Sequence, residues 1–345
     1  MFTQKRIHRL FKKKIIVLLI ITNEADIHPN PVIDILNSHQ LPFFRFNTDK
    51  ILTDYDVLYE ISNEKTFFEI KYKDYDKSIN SEQISCVWER RPMEPLATYD
   101  HYDDEKVKKV ILDEADGFIK FFRYSLSNVF WLGHPIIERQ AGSKILQKIV
   151  AKSIGFQIPD TIFSNQFSCL KIFENKYVAI KPISSFDIEA NGGNIVFYTR
   201  KKHYSDLMHI GENSFRNNIN FLEEYIEKDF ELRVTVIKDE CFSAKIESQK
   251  LDTEKGAIDW RQGYDNGISF TKTEISQDVE IKCLSFLQHF NLNFGCFDFI
   301  VDKNGNYIFL ECNTNGQWMW LEEEAKLPIS AAIAKIFESE IKKKK

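Results

Sequence analysis

One stretch of alternating residues decides the fold: Phe297-Asp298-Phe299-Ile300-Val301-Asp302-Lys303-Asn304-Gly305-Asn306-Tyr307-Ile308-Phe309-Leu310-Glu311-Cys312-Asn313. Two apolar runs flank Asn304-Gly305, and Asn-Gly in this setting is the strongest short signal for a β-hairpin. With Asn304 and Gly305 as a two-residue loop, Asp298 is predicted to lie opposite Glu311. The same register puts Cys296 opposite Asn313.

This register sorts the side chains of the hairpin onto two faces. The apolar face is predicted to consist of Phe297, Phe299, Val301, Ile308, Leu310 and Cys312. The other face carries Asp298, Glu311 and Asn313, and the two carboxylates repel each other unless a cation lies between them. Oxygen ligands without Cys or His indicate a hard ion, and so sparse a set suits Mg²⁺ that keeps waters and shares phosphate oxygens. A nucleotide is therefore expected, and the alternative is a polar face without an ion.

Two lysines upstream are candidates for contact with the phosphates. Lys181 ends a predicted buried strand at 177–180 and is followed by Asn191-Gly192-Gly193, whose backbone N–H groups suit an anion. Lys144 stands at the start of a predicted helix, 143–154, that Gly155 ends. Each lysine taken alone is also typical of a solvated surface.

Two segments between these features have the pattern of a nucleotide pocket. Residues 231–236 alternate strictly, so that Glu231 and Arg233 share one face while the apolar residues enter a core. The preceding segment, 220–226, mixes apolar residues with Glu223 and Glu224. This mixture is compatible with a purine pocket in which the backbone reads the edge of the base.

The first hundred residues alternate between strands and helices. Strands are predicted at 15–22, 43–46 and 84–88 and a helix at 31–38, which indicates an α/β lobe. The apolar run Ile15–Ile21 is too short to cross a bilayer, which needs about 20 residues, and it lacks a signal-peptide cleavage site. A helix over 104–126 leads to a lobe boundary near Gly133, and an apolar stripe predicts a last helix at 329–341.

The composition excludes several classes of protein. The 345 residues are 43% hydrophobic and 28% charged, and they include 29 Phe, which predicts a multilobed globular enzyme. The net charge is −5, and the basic runs Lys5–Lys14 and Lys342–Lys345 are expected to be solvated tails, so no nucleic acid or membrane partner is expected. Six cysteines without a CxxC pair indicate thiols in a reducing cytoplasm, and the histidines form no zinc pattern.

The order of these residues resembles the ATP-grasp superfamily over about 130–325. The resemblance implies an α/β (α+β) fold with a pre-ATP-grasp lobe at 1–127, a central subdomain at 128–219 and a C-terminal subdomain at 220–345, with ATP in the cleft between the two subdomains. It implies roles for twelve residues: phosphate ligands Lys144 and Lys181; the adenine hinge Glu223, Glu224, Tyr225 and Ile226; the ribose contact Glu231; the catalytic Arg233 and Arg261; and the Mg²⁺ ligands Asp298, Glu311 and Asn313.

A narrower resemblance rests on four further segments: Trp88-Glu89-Arg90-Arg91-Pro92, Gly155 to Thr161, Asp259-Trp260-Arg261, and Leu310 to Trp318. They are similar to the microviridin-type, or graspetide, peptide ligases and the related grasp-with-spasm maturases. That resemblance implies a cytoplasmic, ADP-forming enzyme whose partner is a precursor peptide with a leader and a core. It leaves the oligomeric state open, with a homodimer as one option.

The implied reaction is phosphorylation of an Asp or Glu carboxylate of the peptide by MgATP, followed by attack of a Ser or Thr hydroxyl or a Lys amine on the acyl phosphate. A site of Lys, Arg and Mg²⁺ ligands suits this chemistry, which depends on positioning and neutralisation of charge. Two alternatives are a ligase that adds free amino acids to a protein and a nucleotide-binding module without turnover.

Overall fold

A computed structural model of the protein describes residues 16–96, 104–126, 129–184, 187–190, 193–251 and 253–343, with the backbone alone at 187–190, 193–195 and 264–266. The chain forms two compact units. Unit 1 consists of Met1–Glu138 with Pro328–Lys345, and unit 2 of Arg139–Leu327. In the described part of the chain, no helix has both the length and the apolar character needed to span a membrane.

The elements of the described chain follow in chain order. The first are β1 (Val17–Thr22), α1 (Pro29–Ser38), β2 (Phe43–Asn47), α2 (Ile51–Asp54), β3 (Tyr55–Ile61), β4 (Thr66–Tyr72), β5 (Ser78–Asn80), β6 (Ile84–Glu89), α3 (Glu105–Ser125), β7 (Phe130–Leu132) and α4 (Pro135–Ala141). The next are α5 (Lys144–Ile154), β8 (Thr161–Ser164), β9 (Tyr177–Lys181), β10 (Asp187–Ala190), β11 (Gly193–Val196), β12 (Arg200–His203), α6 (Tyr204–His209), α7 (Glu212–Arg216) and β13 (Asn220–Glu224). The last are β14 (Lys228–Ile237), β15 (Glu240–Ile246), α8 (Glu254–Ile258), β16 (Phe270–Lys272), α9 (Gln277–Phe290), β17 (Phe294–Asp302), β18 (Tyr307–Asn313), α10 (Met319–Ala325) and α11 (Ile329–Lys343).

Unit 1 contains a parallel sheet with the strand order β2-β1-β6-β7. Every residue of β1 and β6 is buried, as expected for central strands of a parallel sheet covered on both faces. The strands predicted in this region are confirmed. The apolar run after the N-terminal lysines is thus part of a sheet.

A second, antiparallel sheet of unit 1 was not predicted from the sequence. It has the order β3-β4-β5. Most residues of β3 are exposed or half-buried, so the strand lacks the apolar run that marked β1. Its sheet packs onto the core of unit 1 through Tyr55, Phe68 and Ile70.

The last helix, α11, belongs to unit 1. It packs against α1, β1 and β6, and the Phe337 ring lies 5.5 Å from the ring of Trp88. The predicted apolar stripe of this helix is buried, including Ile333, Phe337 and Ile341. The helix is therefore grouped with the N-terminal lobe, whereas the predicted division placed it with 220–345, because a stripe shows that a face is buried and not which element covers it.

Unit 2 contains two larger sheets, with the orders β12-β9-β13-β8 and β16-β15-β14-β17-β18. β13 is hydrogen-bonded to both β8 and β9. The four-stranded sheet therefore extends to Glu224, and not to the predicted boundary at 219/220. The predicted start of the central subdomain at 128 also differs from the observed unit boundary after Glu138.

Aromatic rings fill the core beneath the five-stranded sheet. The rings of Phe297, Phe299 and Phe309 pack against Phe156 and Phe286, with ring centroids 5.2–6.3 Å apart. α9 and β17 meet over this core, and the helix has defined ends: the Ser276 hydroxyl accepts from Val279 N, and Asn291 is left-handed at φ 56°. This core holds the apolar face of β17 and β18 and leaves their polar face free for a site.

Candidate active site

The hairpin of β17 and β18 places its polar residues in the predicted register. Asp298 pairs with Glu311, and Cys296 pairs with Asn313. The two carboxylates therefore lie on neighbouring strands of one sheet face. Arg233 of β14 pairs with Asp298 from the other side, so the same face continues across three strands.

The register near the turn differs from the prediction. Asp302 N donates to Asn306 O, and Gly305 stands at φ 80°, so three residues form the loop instead of two. Phe299 consequently pairs with Phe309, and Leu310 is the extra residue of a β-bulge. The buried apolar face contains Phe309, while Leu310 is only half-buried. The extra residue in β18 compensates for the extra residue in the loop, so the predicted pairing of Asp298 with Glu311 is restored.

Each carboxylate of the hairpin has its own cation. Arg233 Nη1 donates to Asp298 Oδ1 at 2.8 Å and to Oδ2 at 2.7 Å. Lys144 Nζ pairs with Glu311 Oε2. Arg233 Nε is buried and has no hydrogen-bond partner among the described residues. Arg233 is held in place beside Asp298 by the two hydrogen bonds to its carboxylate.

The pKa values of the two carboxyl groups move apart. Burial raises the pKa of Asp298, and the Glu311 carboxylate raises it further, so the pKa stays above its usual value although Arg233 lowers it. Burial would also raise the pKa of Glu311, but the ammonium of Lys144 outweighs it and lowers the pKa to about 2. The repulsion between the two carboxylates, expected from the sequence, therefore contributes to the raised pKa of Asp298.

Helix α5 carries Lys144 and is fixed onto β18 by one glutamine. The Ser143 hydroxyl caps the helix by accepting from Leu146 N, and Gly155 ends it at φ 92°. Gln147 Nε2 donates to Cys312 O at 2.8 Å, and Gln147 Oε1 accepts from Cys312 N at 2.8 Å. These two hydrogen bonds fix the position of α5 along β18 and so place Lys144 beside Glu311.

The four-stranded sheet contributes a second charged cluster. Its core face contains Val178 and Leu222, so Lys181 and Glu223 project from the opposite face by alternation. Lys181 Nζ pairs with Glu223 Oε2 at 2.5 Å, and Lys148 Nζ pairs with Glu223 Oε1 at 2.5 Å. Glu223 is 1% exposed.

The rest of the predicted hinge and ribose set lies outside that cluster. Glu224 accepts from Lys176 Nζ at 2.9 Å, and Lys201 Nζ lies 4.1 Å from the centroid of the Tyr225 ring. Ile226 is half-buried in the connection to β14. Glu231 shares the sheet face of Arg233 but accepts from Lys228 Nζ at 2.7 Å, and burial raises its pKa.

Arg261 is held by a neighbouring carboxylate. Its Nε and Nη2 donate to the two oxygens of Asp259 at 2.8 and 2.6 Å. Asp259 is buried and also accepts from Thr199 N at 3.1 Å. The guanidinium is therefore oriented before any ligand binds.

A cavity of about 250 Å³ joins the two clusters. Lys144, Lys181, Arg261, Glu311 and Asn313 all line it. Both predicted phosphate ligands and two of the three predicted metal ligands therefore surround one space, although they are far apart in the sequence; Asp298 does not line it.

Two family models match the chain. The model described as "MvdD pre-ATP grasp domain" matches residues 17–139, and the model described as "RimK-like ATP-grasp domain" matches residues 143–337, which is more than half of the chain. The chain belongs to the RimK-like ATP-grasp family. The predicted superfamily and the predicted ATP-grasp fold are thereby confirmed.

Solved structures of peptide-modifying ligases are similar to this RimK-like ATP-grasp protein. A RiPP-associated ATP-grasp ligase from Chryseobacterium gregarium, in complex with ADP and a leader and core peptide, is 26% identical, with a TM-score of 0.84 over 93% of this chain and 96% of that one. The macrocyclase MdnC from Microcystis aeruginosa, bound with the precursor peptide MdnA, is 28% identical, with a TM-score of 0.79 over 93% and 99%. The macrocyclase MdnB from the same organism is 27% identical, with a TM-score of 0.73 over 93% and 98%. No curated protein sequence matches the chain.

The oxygen ligands in this RimK-like ATP-grasp protein fit a magnesium ion. Asp298 and Glu311 face each other and Asn313 is exposed beside them, so three side chains with the oxygen atoms that Mg²⁺ prefers share one face. No cluster of three or more His, Cys, Asp or Glu side chains that could hold a metal exists within the described ranges.

Two contributors to the site were not assigned a role from the sequence. Lys148 was detectable, because it follows Lys144 by four residues and so lies on the same face of α5. Asp259, which orients Arg261, stands only two residues before it, and this short separation was the available signal. Asn191 and Gly192 of the predicted phosphate loop lie outside the described residues.

Proposed function

We propose that this protein is an ATP-dependent ligase that closes ester or amide macrocycles in a ribosomally made precursor peptide. The observation that carries the proposal is the single cavity lined by Lys144, Lys181, Arg261, Glu311 and Asn313. Its charges suit a nucleoside triphosphate and an acyl phosphate. The similarity to MdnC bound with a precursor peptide, and to the Chryseobacterium ligase bound with leader and core, supports a peptide as the substrate.

In the proposed reaction a side-chain carboxylate of the peptide attacks the γ-phosphorus of ATP, and ADP leaves. A hydroxyl or amine of the same peptide then attacks the acyl phosphate, loses its proton and displaces inorganic phosphate. Both steps require neutralised charge and fixed geometry more than a protein nucleophile. Mg²⁺ held by Asp298, Glu311 and Asn313 would neutralise phosphate charge.

The residues of the site then have distinct roles. Lys144 and Lys181 bind phosphate oxygens, and residues 223–226 form the adenine hinge, with Glu231 at the ribose. Arg233 and Arg261 stabilise the transferred phosphoryl group. The fixed guanidinium of Arg261, which lines the cavity, supports its assignment, because an oriented donor needs little reorganisation during the reaction.

A cytoplasmic location follows from the same proposal. The cytoplasm supplies ATP and newly translated peptide, and it keeps thiols reduced. All six cysteines are free, and Cys86, Cys283, Cys296 and Cys312 are buried.

The deciding experiment is incubation of the protein with MgATP and a candidate precursor. The candidate is a short peptide encoded beside the gene, with repeated Thr or Ser and Asp or Glu in its core. We expect ADP and phosphate to form and the peptide to lose one water for each link, and mild alkali to open esters but not amides. A peptide that becomes heavier in the presence of free amino acids would support amino-acid ligation instead. A peptide mass that never falls while ATP is consumed would contradict macrocyclisation.

A further inference from the structure

A third lysine, Lys148, lies beside the two proposed phosphate ligands. It stands one helical turn after Lys144 on α5. Its Nζ is 2.5 Å from Glu223 Oε1 and 3.4 Å from Phe309 O, and its side chain is 7% exposed. Lys148 is therefore a buried ammonium group that contacts Glu223 of the second charged cluster.

Glu223 is shared by two lysines. Lys148 occupies Oε1 and Lys181 occupies Oε2. Burial would raise the pKa of Glu223, but the two ammonium groups outweigh it, so the pKa is lowered and Glu223 is ionised. A buried carboxylate in this position needs at least one retained counter-charge.

The two lysines differ in their access to the cavity. Lys181 lines the main cavity together with Arg261, Glu311 and Asn313. Lys148 does not line that cavity; it lines a smaller pocket, to which Lys181 and Glu311 also contribute. Lys181 can therefore reach a ligand in the main cavity, whereas Lys148 is enclosed against Glu223.

We propose that Lys148 is a positioning residue that stays on Glu223 as its permanent counter-charge, so that Lys181 can move from Glu223 to the nucleotide phosphates. The inference rests on the proposed function, in which Lys181 binds phosphate. Without Lys148, the departure of Lys181 would leave a buried carboxylate unpaired, so Glu223 would retain Lys181 and nucleotide binding would weaken. Burial lowers the pKa of Lys148 to about 8, which leaves it mostly charged at neutral pH.

A purely structural role for Lys148 makes a different prediction. Its Nζ lies 5.6 Å from the centroid of the Phe309 ring, so the side chain also fills space against the aromatic core. Lys148→Met keeps most of that volume and removes the charge. The double variant Lys148→Met with Glu223→Gln removes both charges, so that no carboxylate remains to retain Lys181.

The test is calorimetric binding of MgADP, without peptide, to the wild type, Lys148→Met, the double variant and the control Lys152→Met. Lys152 is exposed on the same helix, one turn further on. We expect Lys148→Met to bind at least about tenfold more weakly than the wild type, the double variant to bind at least about threefold more tightly than Lys148→Met, and the control to bind within about threefold of the wild type. Thermal melting verifies that each variant is folded.

Two results would overturn the inference: binding by Lys148→Met within about threefold of the wild type, or a double variant no tighter than Lys148→Met. If Lys148→Met alone does not fold, Lys148→Gln, which also removes the charge, takes its place in both comparisons. A wild-type protein that binds no nucleotide would overturn the proposed function itself, and this inference with it.

Discussion

At the scale of single residues, the two carboxylates of the hairpin depend on different cations. Asp298 is held by both oxygens to Arg233, and Glu311 is held to Lys144. From the sequence, two opposed carboxylates would predict that neutralising either one preserves or raises stability. The ion pairs change this expectation, because neutralisation also removes a favourable interaction.

We predict that Asp298→Asn and Glu311→Gln each lower turnover by at least about 100-fold, because each removes a charged ligand from the proposed metal site. The exposed Glu323→Gln on α10 should retain wild-type turnover. Rates of ADP formation with peptide present provide the measurement. Wild-type turnover by either variant would contradict the metal assignment.

The same substitution at Glu311 has a predicted pH signature. The folded-state pKa of Glu311 is about 2, below its usual value of 4.5, so its ion pair contributes stability above about pH 4.5 that is lost as the pH falls towards 2. The side chain is 39% exposed, and screening by water limits the contribution to about 1 kcal/mol or less. Glu311→Gln should therefore be slightly less stable than the wild type in urea at pH 7 and equally stable near pH 2. A more stable variant at pH 7 would show that repulsion from Asp298 outweighs the pair.

At the scale of elements, the packing of α5 against β18 determines where Lys144 and Lys148 lie. This packing depends on the buried side chain of Gln147. Its amide is hydrogen-bonded to the backbone N–H and C=O of Cys312 and also donates to Ala141 O at 2.7 Å. Backbone groups that lose such partners stay buried without a hydrogen bond. One side chain thus links a helix to a strand distant in sequence.

We predict that Gln147→Met lowers the free energy of unfolding by about 3 kcal/mol, because three hydrogen bonds to buried backbone groups are lost. It should also weaken nucleotide binding, since Lys144 and Lys148 shift with the helix. Urea denaturation measures the loss, with the exposed Gln288→Met on α9 as the matched control. A loss below about 1 kcal/mol would mean that water or a relaxed helix replaces these bonds.

At the scale of the whole molecule, the chain returns to its first unit after completing the second. α11 follows unit 2 in sequence but packs on α1, β1 and β6 of unit 1. Phe337 is fully buried there against Trp88. The core of unit 1 therefore depends on residues from both of its chain segments.

We predict that Phe337→Ala destabilises unit 1 by about 3–5 kcal/mol, the usual cost of a large cavity in a core. Hydrogen exchange should accelerate in β1 and β6, while β17 and β18 of unit 2 keep their protection. Ser339→Ala, an exposed position on the same helix, is the control. Equal loss of protection in both units would show that they unfold as one.

Local patterns in the sequence were sufficient for much of this architecture. The alternation around Asn304-Gly305 placed Asp298 opposite Glu311, because side chains of a strand change face at every residue. Ser143 and Gly155 marked the ends of α5, since a cap and a left-handed residue act within one turn. The apolar run of β1 indicated a strand covered on both faces.

The tertiary structure alone decided which of these faces meet. Three features had no local signal for the partner: the bulge at Leu310, the pairing of Lys148 with Glu223, and the return of α11 to unit 1. Periodicity determines which side chains share a face of one element. The partner of that face depends on the packing of elements distant in sequence, where burial makes a charge costly and so selects the opposite charge that pairs with it.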